Sequence, residues 1–407
     1  MYSHTKILML LALSFTAEQA VAQTVAGNPN QQTVLGKGPF TSPRATAMGG
    51  AISTVADDLD ATFSNPAGIG GLGMGSGKMP WVRKLYFPQS SASANENTKS
   101  LNTAFKEQNG ADDSAIGQSI LDASEGDRQF ARANAVMGVV IGRAILVPFT
   151  DYQVAALAQG DGLIDTHYRS MTGVGYGFSA QNPKETFSIG YFGYSTNIQD
   201  LKGQLNYSEL IDTESRKNVF KDHSNNYEAL GHNIGIVWQV AKKASPRFSL
   251  VMTDLEDTKL KLKGEPKEDV NSSSTSSTAT TTSVFDSTPQ PLFQQNNTLG
   301  FSISPQINKS SHINWVVEMT QIGLNDVSIL KKFRSGLEYN LFGGTGSYAK
   351  LSARAGINNA GYSMGLMCNL GLINFEASSY AVDIGDNDSR MIERRFSGTV
   401  GINVGDF

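Results

Sequence analysis

The sequence predicts an all-β fold, a transmembrane antiparallel β-barrel of about fourteen strands. Three observations carry this. Segments of about ten residues alternate apolar with polar positions, and the polar face bears full charges in strand after strand, as a barrel lumen does. No stretch approaches about eighteen consecutive apolar residues, so helical membrane spans are excluded. Threaded in order, the long polar excursions fall on one side and the short links on the other, the asymmetry of outer-membrane barrels.

Composition agrees. Charged residues make up only 17% of 407 residues and glycine contributes 41, which is poor in helix-surface charge and rich in residues that tolerate bends. A net charge of −4 without a Lys/Arg cluster leaves no footprint for nucleic acid, so no nucleic-acid partner is expected. The single cysteine, Cys368, rules out a disulfide framework and a Cys-based metal site, and it reads as a small apolar strand residue.

Residues 1–22 read as a secretory signal peptide. Lys6 supplies the charged start, Ile7–Phe15 the apolar run, and Ala20-Val21-Ala22 the small residues before cleavage ahead of Gln23. The apolar run is too short to span a bilayer, and no Cys at the cut suggests a lipid anchor. After cleavage near Ala22 the chain is expected in the bacterial cell outer membrane, in contact with its lipids and with barrel-assembly machinery. Residues 23–43 are a polar, loop-like lead-in.

The stretch Arg44–Gly68 is unlike any strand. Its small residues Ala45, Ala47, Gly49, Gly50 and Ala51 let backbone approach backbone, and the carboxylates Asp57, Asp58 and Asp60 follow closely. Asn65 can cap a turn with its side-chain oxygen, while Pro66, with fixed φ and no N–H, suits a first helical position. Such a segment fits inside something. Met48-Gly49-Gly50-Ala51, Ala56-Asp57-Asp58 and Asn65-Pro66-Ala67-Gly68 together resemble the amino-terminal hatch of the FadL-type long-chain fatty-acid transporters. That superfamily also includes secretion-associated and TraF-like barrels. The close match is confined to residues 44–68, and the rest of the chain agrees in architecture alone. The resemblance implies an N-terminal hatch inside the lumen, within residues 23–73, with Gly49, Gly50, Asp57, Asp58, Asn65, Pro66 and Gly68 as hatch or gate residues.

Residues 74–407 are then the barrel. Strands are expected at 74–87, 133–147, 151–158, 166–179, 185–208, 228–240, 247–260, 291–304, 312–322, 330–342, 347–357, 361–369, 371–384 and 391–406. Long outer loops fall at 88–132, 209–227 and 261–290. Short links fall at Pro148–Thr150, Ala180–Lys184, Ala241–Pro246, Pro305–Ser311, Gly343–Ser347 and between Asn369 and Gly371, which leaves both termini periplasmic. Strand three is short, and the fifth is too long unless it bends near Asn197–Gln199 or projects beyond the membrane. Within the first outer loop Ser114–Ala123 has an amphipathic helical pattern. Asn271–Ser283 is low-complexity polar sequence that can bury too little to offset its ordering entropy. The terminal Phe407 fits the end signal of outer-membrane barrels, although the alternation Phe396, Val400, Ile402, Val404 runs one residue out of step with it.

Strand alternation turns Glu318, Arg334, Glu338, Lys350 and Arg354 toward the lumen, joined by Arg395. An unpaired charge enclosed by a barrel is costly. Asp57 and Asp58 are therefore expected to pair across the lumen with the wall cations Arg334, Lys350 and Arg354.

Other chemistry finds little support. Gly68-Ile69-Gly70-Gly71-Leu72-Gly73 spells a dinucleotide fingerprint, but no strand leads into it and no helix follows. Gly77-Lys78 lacks the remainder of a phosphate loop. His4, His167, His223, His232 and His312 lie apart without zinc spacing, and the Asp57–Asp60 run lacks the spacing and glycine of a calcium loop. No Gly-x-Ser-x-Gly elbow or Ser/His/Asp set stands out, so no enzyme, metal or cofactor is expected.

Two functions remain. One, implied by the resemblance, is passive uptake of small hydrophobic, fatty-acid-like molecules through a hatch-gated lumen, with capture at the outer loops and exit through a gap in the wall. The alternative is a structural or partner barrel of a secretion or conjugation apparatus with no transported small molecule. The charged lumen of the carboxy-terminal half leans toward this alternative, because a greasy conduit would turn more apolar residues inward.

Overall fold

The computed structural model describes residues 40–73, 82–96, 128–158, 163–182, 184–206, 224–241, 244–264, 291–308, 311–324, 329–342, 349–384 and 391–404. The signal peptide and lead-in, residues 74–81 of the first expected strand, the helix at Ser114–Ala123, the Asn271–Ser283 run and Phe407 lie outside the described residues.

Strands β1 (Val82–Asn95), β2 (Arg128–Ile141), β3 (Ala144–Ala158), β4 (Leu163–Gln181), β5 (Phe187–Asn206), β6 (Asn225–Gln239) and β7 (Arg247–Thr253) make one half of the wall. Three short pieces follow: β8 (Thr258–Lys259), β9 (Lys261–Leu262) and β10 (Pro291–Phe293). The other half is β11 (Asn296–Ile303), β12 (His312–Met319), β13 (Phe333–Phe342), β14 (Ala349–Asn358), β15 (Gly361–Leu370), β16 (Ile373–Asp383) and β17 (Ile392–Val404). Omitting the three short pieces, fourteen strands pair antiparallel in sequence order, and β1 pairs with β17 to close the barrel. Outside this ring β8 pairs with β10, and β9 extends the edge of β6.

The burial pattern is that of a soluble sheet turned inside out. On β16, Asn374, Glu376 and Ser378 are buried while Ile373 and Phe375 are exposed. On β17, Glu393, Arg395 and Thr399 are buried against exposed Ile392, Phe396, Val400 and Ile402. Closure gives each wall strand a partner on both sides and pairs most of its backbone within the ladder, the condition for strands at membrane depth. None of the described helices is long and apolar enough to cross a membrane.

Several boundaries differ from the expectation. The turn placed at Pro148–Thr150 lies instead at Gly142-Arg143, and β3 runs through Pro148. Gly142, at φ 63°, stands first in a two-residue hairpin, where glycine relieves the strain of positive φ. Pro148 is tolerated because the β2–β3 ladder has no pairs between Val136↔Phe149 and Val139↔Leu146. β5 neither bends nor slips at Asn197–Gln199. It pairs with β4 without a register shift from Ser188 to Asn206 and projects well beyond an apolar band about 25 Å tall. Expected strand seven is shorter, since Asp254, Glu256 and Asp257 adopt positive φ and end β7 in a turn, and expected strand eight is divided at residues 294–295 into β10 and β11. Residues 329–332 form a helical turn (α3, Ile329–Lys332) before β13. In β1 pairing lapses on both edges at Phe87-Pro88, between Tyr86 and Ser90 against β17 and between Tyr86 and Gln89 against β2.

Residues 40–73 lie against the inner face. Helix α1 (Pro43–Ala47) touches β14 through β17, and the 3-10 helix Pro66–Gly73, which follows α2 (Asp60–Ser64), touches β1 through β6. Contacts to both halves of a closed wall put the segment within it.

Candidate functional site

The site is built where residues 40–73 meet the wall. Ser42 caps α1, its Oγ accepting from the Ala45 N–H at 3.0 Å, and Pro43 occupies the first turn. This aims Arg44 sideways. Arg44 donates from Nε (3.1 Å) and Nη2 (2.9 Å) to the two oxygens of Glu338 on β13, a bidentate pair. From Nη1 it reaches Asp57 at 2.5 Å and Asp58 at 2.9 Å. Glu338 also accepts from Arg354 Nε at 2.8 Å and Asn314 Nδ2 at 2.8 Å, and Arg354 passes on to Glu376 at 3.0 Å. The expectation that Asp57 and Asp58 pair with wall cations is thereby corrected. Their partner is Arg44 on their own segment, and the link to the wall has the opposite sign, a segment cation on a wall carboxylate.

This chain holds two guanidinium groups against four carboxylates. Asp60 sits beside it, buried, with the Ser42 hydroxyl on its carboxylate and its own N–H donated to Asp58 Oδ1. Burial pushes the Asp60 carboxyl well above the usual range, and the neighbouring Asp58 charge adds to the effect.

Backbone contacts anchor the segment at two places. Gly49 and Gly50, both at positive φ, carry the chain past α1 so that Met48 and Gly49 press on Gly356 and Gly336. A Cβ on Gly356 would stand 2.2 Å from the Met48 carbonyl carbon, and one on Gly336 2.7 Å from the Met48 oxygen. Gly336 and Gly356 are cross-strand partners. At the second place the Asn65-Pro66 corner sits over Gly190 and Gly235, also cross-strand partners. Added Cβ atoms there would lie 2.1 Å from the Pro66 oxygen and 1.9 Å from Asn65 Oδ1. Asn65 Nδ2 donates to the Ser53 carbonyl at 2.6 Å, and Asn65 Oδ1 accepts from the Ala67 N–H at 3.0 Å. Gly68 is required within the segment, since its Cβ would meet the Ala56 oxygen at 2.2 Å.

Wall hydroxyls complete the seating. Ser179 donates to the Ala67 carbonyl, Ser363 to the Ala47 carbonyl, and Ser249 shares a hydrogen bond with Ser53. Glu318 accepts the Ser53 N–H at 2.5 Å. Arg395 is inward and buried, and Glu393 and the Phe130 ring hold it. Lys350 shares the lumen parity yet is exposed near the end of β14. Arg44, Glu376 and the wall glycines were not singled out by sequence reasoning. Their signal was present in the inward parity of Glu376, Gly336 and Gly356.

Between the segment and the outer-loop residues 292–298 and 320–324 lies a cavity of about 530 Å³. Phe40, Phe63, Leu292, Phe293 and Leu324 give it apolar walls. Phe63 is also the hub of an aromatic cluster, with ring centroids 5.6 Å from Phe149 and 5.1 Å from Phe192. Arg334 lines the cavity opposite, against Gly50, and among the described residues no hydrogen bond or ion pair holds its guanidinium. Among the described residues no group of His, Cys, Asp and Glu is arranged to hold a metal.

The fold is that of closed outer-membrane-type barrels. The deltaS2 mutant of the TodX monoaromatic hydrocarbon channel matches at 8% identity over 90% of this chain and 99% of its own, TM-score 0.50. The toluene transporter TodX of Pseudomonas putida matches at 9% identity over 90% and 98%, TM-score 0.46. A FadL homologue from Pseudomonas aeruginosa follows at 10% identity over 91% and 99%, TM-score 0.29, and CdiB from Acinetobacter baumannii at 7% over 80% and 60%, TM-score 0.34. No family model matches the sequence, and no curated protein does.

Proposed function

We propose that the chain is a passive channel for small hydrophobic molecules in the bacterial outer membrane, with residues 40–73 as its plug. The observation that carries this reading is the cavity of about 530 Å³ between the segment and the wall, where Phe40, Phe63, Leu292, Phe293 and Leu324 stand among polar residues that include Asn233, Asp254 and Glu318. Pockets for small ligands are of this size. The resemblance of the plug to FadL-type hatches and the barrel shared with a monoaromatic hydrocarbon channel support the same substrate class. The exit is the lapse in pairing at Phe87-Pro88 of β1, because Pro88 has no N–H to give and the ladder is open on both edges there.

Arg354, Glu338 and Glu318 do not call for a protein partner, since they are engaged with the plug or with each other. The test is uptake of radiolabelled toluene and radiolabelled oleate by cells with and without the barrel, alongside Leu324→Trp, which narrows the cavity. Faster uptake with the wild type, slowed by the variant, supports the channel. Equal uptake in all three, with a protein co-purifying with the barrel, would favour the secretion or conjugation reading.

A further inference from the structure

The lumen holds a second insert besides residues 40–73. Between β7 and β11 the chain leaves the wall, and β8 and β10 pair with each other as a separate two-stranded sheet. Closure of the ring does not use this sheet. It lies on the inner face all the same. Phe293 of β10 is buried against Met171, Ile198 and Ala229, inward residues of β4, β5 and β6. Thr258 of β8 is buried beside the inward Tyr194 of β5.

One carboxylate ties β8 to the wall. Asp254 Oδ1 accepts the Tyr194 hydroxyl at 2.6 Å and the Thr258 hydroxyl at 2.7 Å. Backbone pins the two ends of this arm, with the Leu255 N–H on the His232 carbonyl at its base and β9 paired with β6 beyond it. The second arm joins the first where Asp257 Oδ1 accepts the Gln295 N–H at 2.7 Å. Among the described residues no strand ladder joins β8 or β10 to the ring. A short piece so sparsely bonded to the wall opens at a lower free energy than the wall itself.

The cavity of about 530 Å³ lies between the two inserts, with Phe40 and Phe63 from one and Leu292 and Phe293 from the other. We propose that residues 256–260 and 291–295 are a gate on the outer-loop side of this cavity, separate from the plug. Phe293 seats the gate, and the Thr258 hydroxyl on Asp254 latches it. The inference rests on the channel reading of the cavity, but its test reads access and not transport, so the two can fail separately.

The test is thiol modification of the detergent-solubilised full-length barrel by a charged methanethiosulfonate. Cys368→Ser removes the native thiol, and a single cysteine is placed by Ser64→Cys, in the cavity lining, or by Ala67→Cys, at the seated corner. Phe293→Ala should speed modification at position 64 at least about tenfold, the scale of an emptied aromatic seat. Thr258→Val keeps the shape and loses the hydroxyl, and it should speed the same reaction about threefold. Neither should change the rate at position 67. Leu299→Ala, an outward residue on β11, should leave both rates as they were, and a heat-modifiable gel shift checks that each variant is folded. Equal rates at position 64 in the parent and Phe293→Ala overturn the proposal. So does acceleration by Phe293→Ala alone, which marks a widened cavity and not a latch, or a rise at position 67 as large as at position 64, which assigns the opening to the plug. Accelerated access at position 64 without uptake of toluene or oleate would count against the channel and leave the gate standing.

Discussion

The two places where residues 40–73 meet the wall use the same device and different chemistry. Each seats backbone on a cross-strand glycine pair, Met48-Gly49 on Gly336↔Gly356 and Asn65-Pro66 on Gly190↔Gly235. Around the first lies a chain of ions running from Asp58 through Arg44, Glu338 and Arg354 to Glu376. At the second, Asn65 and Ala67 make neutral hydrogen bonds, and the aromatic hub of Phe63 lies alongside. Shape holds both ends, whereas the chain of paired ions lies at the first. An ionic contact responds to proton and salt and a steric one does not, so the α1 end is the end that conditions can loosen.

The largest effect is expected from Glu338→Gln. Arg44 and Arg354 would lose the carboxylate they share, and breaking one member of a buried charge pair costs about 3–5 kcal/mol. Protease access to residues 44–58 and single-channel conductance in planar bilayers should both rise, while the backbone ladder keeps the barrel assembled. Unchanged conductance would show that the ionic chain does not hold the plug. Next come Gly356→Val and Gly190→Val, each overpacking one anchor at about 1–3 kcal/mol. The first should free the α1 end alone and the second the corner alone, measured by alkylation of cysteines placed at Ala45 and Ala67. Coupled release of both ends by either variant would break the distinction between the anchors.

Asp60 gives the pH dependence its sign. Its carboxyl is raised in the seated state, so its own contribution to seating is fully present below the ordinary carboxylate pKa of about 3.9. That contribution is lost as pH rises toward the raised value. The cysteine placed at Ala45 should become more reactive with rising pH, relative to an exposed reference thiol, and Asp60→Asn in the same background should flatten that difference. A profile unchanged by the substitution would assign the dependence to another group. Asp57→Asn is expected to matter least, at about 0–1 kcal/mol, because the Asp57 side chain is 73% exposed and water screens its contact with Arg44.

Much of the wall was legible because a barrel writes its parity into the chain. Glu338 and Arg354 alternate with Leu337 and Ala355, and closure turns the charged set inward whatever the exact ends of the strands. Turn positions were less legible. Pro148 reads as a breaker in isolation, and only the lapse in the β2–β3 ladder explains why it is not one. Arg44 was passed over because it stands among small residues that suggest packing, and its partner Glu338 is almost three hundred residues away. The glycine seats were hidden for a related reason. Gly190 and Gly235 become a notch only when their strands are paired in this register, which neither residue's local sequence contains.

The closing ladder has a consequence for how the molecule is made. Every other wall ladder joins strands adjacent in sequence order, but the β1–β17 seam sets Asn95 opposite Arg395 and so joins contacts at nearly the full span of the wall. Contacts so far apart in sequence form slowly, since the ordering of everything between them comes first. A segment whose two ends sit in glycine notches on opposite halves of the inner wall is expected to be inside when that seam closes, because an open wall gives it the readiest access to both notches. Assembly order is therefore built into the topology: seat residues 40–73 on a wall still open, then join the first strand to the last.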